Sequence, residues 1–163
     1  MNHDPTPGVI DGRQAYTDAL RAALMSVPGQ PSRQLWMIDD AFAAWPLDDP
    51  AVLQTLSQWL RLPGRQIHMI GGDFDAVTRA HPRFAHWRRG RVHVFDAWQP
   101  LEIERHELSA RLLAGHLAVE LLDREHWRAR VVSDPASLRA MAEDAGSLLH
   151  RCESAWPVTT LGL

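Results

Sequence analysis

His116 and Asp123 stand seven residues apart, on either side of the apolar run Leu117-Ala118-Val119-Glu120-Leu121-Leu122. Histidine can act as nucleophile or proton carrier near neutral pH, and a carboxylate on one ring nitrogen would fix its tautomer. Ser133, after the next extended segment, completes this set of candidate catalytic residues. A second set is Asp39, Asp73 and Asp96, each at or after the end of an expected strand. Carboxylates converging at the carboxyl ends of strands could hold Mg²⁺ or Mn²⁺ for phosphate chemistry, whereas each could equally cap the helix that follows. A third set, Arg79, Arg83, His86, Arg88 and Arg89, interleaves with Trp87. Charge combined with stacking suits phosphates or single-stranded nucleic acid. Arg88 and Arg89 also fall at an expected helix C-terminus, where cations oppose the macrodipole.

Composition narrows these options. All 17 basic residues are arginine, so a P-loop lysine and a Schiff-base lysine are both excluded. A chain of 163 residues with 45% hydrophobic content can bury one sizeable core and is expected to form one domain. The net charge of -3 gives no global attraction to nucleic acid or anionic membrane, so such binding would need a local patch. Cys152 is the single cysteine, which rules out an internal disulfide and a cysteine-rich metal site. None of the histidines forms an HxH or HxxxH pair. The N-terminus has neither a basic nor an apolar leader region, and no apolar run approaches the roughly 18 residues that span a bilayer. The expectation is a soluble, cytoplasmic protein with no cofactor.

The elements that must position these residues follow from periodicity and punctuation. Apolar spacing predicts helices over residues 11–27, 50–60 and 135–149, with Asp49-Pro50 and Asp134-Pro135 as starts. A helix from Asp73 or Asp75 to about Arg89 should break near Pro82. Strands are predicted at 35–38, 66–70, 91–95 and 117–122, the last paired in a hairpin with 127–132. The stretch 99–115 reads as irregular with a short helical piece, and 158–161 as an edge strand. Together these describe one α/β domain over 11–163 after a flexible segment 1–10, with a mixed, mostly parallel sheet flanked by helices.

The register His116-x-Ala118-x-x-x-x-Asp123 resembles the HxKxxxxD motif of the phospholipase D superfamily, with Ala118 at the lysine position. Val132-Ser133 falls near the family's Gly-Ser-x-Asn turn, and the element order over about residues 11–152 is similar to one phospholipase D half. The resemblance implies a site built from two motif copies. One histidine attacks phosphorus, the other protonates the leaving group, each aspartate orients its histidine, and the lysines stabilise phosphate oxygens. A chain with one copy would have to share its site across a homodimer.

The departures weaken that chemistry. Ala118 removes a cation, and strand alternation places Glu120 on the face of His116. A carboxylate about 5 Å from a phosphate costs about 3 kcal/mol at an effective dielectric near 20, and losing one electrostatic stabiliser costs about 10² to 10³ in rate. The expectation is therefore a non-catalytic binding or interaction module with a phosphate-sized crevice, in which His116, Asp123 and Ser133 are vestigial. It is similar to uncharacterised bacterial phospholipase D-like domains that lack the full motif. The alternative is a phosphodiesterase or nuclease acting through a dimeric His116 site or a metal at Asp39, Asp73 and Asp96. The expected partner is a second copy or another protein, ahead of a phosphate-containing ligand or nucleic acid, and no membrane.

Overall fold

The computed structural model describes residues 6–101, 105 and 108–158. Strand β1 (Gly8–Asp11) pairs antiparallel with β7 (Arg128–Val132), so residues 8–10 of the segment expected to be flexible form a sheet edge. Gly12, at φ 102°, turns the chain into helix α1 (Arg13–Ser26); that left-handed backbone favours glycine. Strand β2 (Gln34–Asp39) follows. The Asp49 side chain accepts from the Ala51 N–H to start helix α2 (Pro50–Leu60), and proline at the first position forfeits no helical hydrogen bond. Strand β3 (Gln66–Gly71) leads to Asp73, which caps helix α3 (Phe74–Ala80). Pro82 opens a separate helix α4 (Pro82–Arg88), the break expected from its missing N–H.

Strand β4 spans Phe95–Pro100, displaced from the expected 91–95, because residues 91–94 close a turn in which Val94 N–H donates to the Arg91 carbonyl. Strand β5 (Arg111–Leu113) lies inside the stretch read as irregular. Strand β6 (Ala118–Asp123) and β7 form the expected hairpin, with a bulge between Leu121 and Asp123. Helix α5 (Pro135–Leu149) begins at the Asp134 cap, and strand β8 (Cys152–Ser154) closes the sheet. The edge strand expected at 158–161 lies almost wholly outside the described residues.

The sheet order is β1-β7-β6-β5-β2-β3-β4-β8. A mixed α/β sheet flanked by helices is thus found, but its balance is the reverse of mostly parallel. Among the described residues only β2–β3 and β3–β4 are parallel, and the other five pairings are antiparallel. Strands β5, β6 and β7 follow one another through short loops that permit hairpin returns and no crossover helix, while β1 and β8 add antiparallel edges.

Alternation sorts the side chains into two layers. Leu35, Met37, Ile67, Met69, Phe95 and Val119 pack in the larger core, which also takes buried residues from α1 to α4. On the opposite face, Ile38, Ile70, Leu113 and Ala118 pack against Ala145 and Leu148 of α5. One helix cannot cover that whole face, and an open crevice remains beside it. No helix is long and apolar enough to cross a membrane among the described residues.

Candidate functional site

The crevice lies between β2, β5 and the first half of α5, with a volume of about 410 Å³. Its walls are Trp36, Leu113, Pro135, Leu138 and Ala142, and its rim carries Ser32, Gln34, His116, Ser133 and Arg139. The β6–β7 pairing of Ala118 with Val132 brings His116 and Ser133, seventeen positions apart in sequence, to one end of the hairpin. Gly115, at φ 89°, makes the turn before His116, and a Cβ there would collide with Ser32.

His116 is half-buried and engaged by the fold. Its Nε2 lies 3.0 Å from Ser26 Oγ and its Nδ1 3.2 Å from the Ala114 carbonyl oxygen. Asp123 sits at the far end of β6, about 20 Å of extended chain away. There it accepts from the N–H groups of Glu125 and His126 and from His126 Nδ1, bonds that hold its carboxyl below the usual range. The structure brings His116 together with Ser133 but not with Asp123. Ala118 is fully buried beneath α5. Glu120 pairs with Arg130 across the hairpin, Nη2 to Oε1 at 3.1 Å. Val132 and Pro135 stand where the resembled turn would have glycine and asparagine.

The three aspartates considered for a metal do not converge. Asp39 is level with Gly71 and Asp96 with His68, and they are two strands apart. That offset is about 14 Å at ordinary strand spacings, and the two side chains lie on opposite faces of the sheet. Asp39 is buried on the α1–α4 side, accepting from Trp45 Nε1 at 3.0 Å, Arg124 at 2.6 Å and its neighbour's N–H at 2.7 Å. Asp73 is occupied as the α3 cap. It lines a separate cavity with Asp40 and Asp75, to which neither Asp39 nor Asp96 contributes.

The arginine set is also divided. Arg79, Arg83, His86 and Arg89 are exposed on α3 and α4 and the turn after them. Arg88 points inward, 5% exposed, its guanidinium 3.9 Å above the Trp156 ring while Nη2 donates to the Trp156 carbonyl at 2.6 Å. Burial, with the neighbouring Arg89 charge, pushes its pKa down to about 10. His86, Arg88 and Arg89 border a shallow hollow of about 310 Å³ with Trp156 and Pro157.

One pair escaped the sequence reading. His68 Nδ1 lies 2.8 Å from Asp96 Oδ1, and its Nε2 meets Gln34 Oε1 at the crevice rim. Trp36 packs on the imidazole at 4.3 Å between centroids. Burial pushes the Asp96 carboxyl up, but the hydrogen bonds and charge of His68, with bonds from Trp98 and Gln66, outweigh this and hold it below the ordinary range. The only available signal was alternation: Gln66-x-His68 and Asp96-x-Trp98 put four polar or amphipathic groups on one face of adjacent parallel strands. A depressed carboxyl stabilises the fold above its unfolded pKa of about 3.9, and that contribution is lost as pH falls through the lower folded value. Asp96→Asn should therefore lose less stability than the parent between about pH 5 and about pH 3, measured by urea denaturation. Parallel curves would deny Asp96 this role.

No family model and no curated protein matches this sequence. Solved structures do share the fold. TrmBL2, an archaeal chromatin protein described as showing a novel mode of DNA binding, superposes with a TM-score of 0.65 at 12% identity, over 91% of this chain and 52% of that one. This chain therefore spans about half the length of TrmBL2. Nuc from Salmonella typhimurium, a phospholipase D family member, gives 0.56 at 10% identity, over 93% of this chain and 100% of that one. At these identities the likeness is one of fold: this chain has a phospholipase D-like α/β architecture.

Proposed function

We propose that this protein is a non-catalytic phospholipase D-like binding or interaction module. The observation that carries the reading is the state of His116. A nucleophile needs one ring nitrogen aimed at substrate and the other held by an orienting group, whereas here the ring is tied to Ser26 and to its own turn. Asp123 serves the β6–β7 turn, and Ala118 supplies no cation. The remaining crevice is small-molecule sized and largely apolar, with a few polar groups converging at its mouth.

Purified protein should show no hydrolysis of bis-p-nitrophenyl phosphate above background, with or without Mg²⁺. His116→Ala should lower stability by about 1 kcal/mol through its lost hydrogen bonds and change no activity. Turnover that survives EDTA and disappears in His116→Ala would establish the dimeric phosphodiesterase alternative, and turnover that requires Mg²⁺ would establish the metal-dependent one.

The module acts as a homodimer in this reading, because a lone half leaves uncovered the surface that a sister half would meet. Val9 on β1 and Leu122 at the β6 bulge, 68% and 50% exposed, are candidates for that surface. Sedimentation at micromolar concentration should give twice the 18.4 kDa chain mass; a monomer at every concentration refutes the dimer. A second reading, contact with nucleic acid or another phosphate-bearing ligand, draws on the exposed Arg79, Arg83, His86 and Arg89 and on the fold shared with a DNA-binding chromatin protein.

A further inference from the structure

We infer that the crevice between β2 and α5 binds a small amphipathic carboxylate, an apolar body carrying one anionic end. The inference rests on the binding-module reading and names the ligand class of that site. Trp36, Leu113, Leu138 and Ala142 offer an apolar wall that water solvates poorly, so a compact aromatic or aliphatic group gains by displacing solvent there. Arg139 and Gln34 are two of the polar side chains on its rim. The Arg139 guanidinium has no hydrogen-bond or ion-pair partner among the described residues, and no acidic side chain lines the crevice.

The second donor is Gln34, and the fold sets its orientation. His68 has Asp96 on Nδ1 and the Gln34 carbonyl oxygen on Nε2. With its oxygen committed to His68, Gln34 keeps its NH₂ for another acceptor, and none is recorded among the described residues. A planar carboxylate accepts from a guanidinium and an amide with charge assistance, whereas a neutral carbonyl oxygen accepts more weakly and a cation is repelled by the guanidinium.

The test is a two-dimensional NMR titration of the full chain with 4-phenylbutyrate, its neutral amide and inorganic phosphate. Phenylbutyrate should shift the Leu113 and Leu138 methyl resonances and bind about tenfold more tightly than the amide. Arg139→Ala, an exposed helix position that leaves the fold intact, should remove that tenfold difference. Ala142→Trp, also exposed, should fill the crevice and abolish the shifts. Equal binding of acid and amide, shifts confined to other surfaces, or no shifts at all would each overturn the inference. Phosphate shifting these residues while phenylbutyrate does not would also overturn it and leave the binding-module reading standing. His116-dependent phosphodiester hydrolysis would instead remove that reading itself.

Discussion

Asp39→Ala should destabilise the fold by about 3 kcal/mol. The carboxylate is buried at the end of β2 and gathers three donors: Trp45 Nε1, the Asp40 N–H and the Arg124 guanidinium. Removing it strands a buried indole N–H and a partly buried amide, each at about 1 to 3 kcal/mol. Arg124 adds less, because it is half exposed and water replaces its partner. Asp39→Asn retains an acceptor and should cost about 1 kcal/mol. Urea denaturation near pH 7 measures both, and an alanine variant as stable as the parent would show that the network contributes nothing. The same residue bears on the metal alternative. A carboxylate serving as latch for the loop under α1 has no need of a cation, so EDTA should leave the unfolding midpoint of the parent unchanged. A fall in midpoint reversed by Mg²⁺ would return Asp39 to the candidate ligands.

How much of this was legible in the sequence depends on how local each cause is. Asp49-Pro50 and Asp134-Pro135 start helices within three residues of themselves, and Pro82 breaks one where it stands. Such features are readable because capping and lost N–H groups are nearest-neighbour effects. Strand β4 was displaced because Arg91-Val92-His93-Val94 mimics alternation, whereas Arg91 folds its guanidinium over Trp87 at 4.5 Å and closes a turn. Strand β5 was hidden by its three-residue length and by a buried arginine, Arg111, that reads as a surface residue. Sheet polarity could not be read either, since it depends on which edge each strand joins. The site followed the same division. His116 and Ser133 converge as the hairpin requires, yet the bond from His116 to Ser26 spans ninety positions and left no sequence signal. The His68–Asp96 pair depends on the register of β3 against β4, which no local pattern sets.

Arg88→Ala should cost about 2 kcal/mol, and Arg88→Met less than about 1 kcal/mol. The guanidinium is sandwiched between the faces of Trp156 and Phe95, at 3.9 and 5.7 Å, and ties the Trp156 carbonyl to α4. A partly desolvated cation–π contact contributes about 1 to 2 kcal/mol, and a hydrogen bond to a charged donor about 1.5 to 3 kcal/mol. Against these stands burial without a carboxylate partner among the described residues, with Nε making no hydrogen bond. Methionine keeps the apolar cover and escapes that desolvation, so it should recover most of the loss. The Arg88 side chain shares the inward face of α4 with Phe84, one turn earlier, a spacing that separates it from its exposed neighbours. Elution from heparin distinguishes the two kinds of arginine. In the reading in which the exposed arginines meet a phosphate-bearing ligand, Arg79→Ala, Arg83→Ala and Arg89→Ala should each elute at lower salt, because each would remove a solvent-facing phosphate or sulfate contact. Arg88→Met should elute with the parent. An early-eluting Arg88→Met of unchanged stability would make Arg88 part of an anion-binding surface and would overturn its assignment as the anchor of the Trp156 segment.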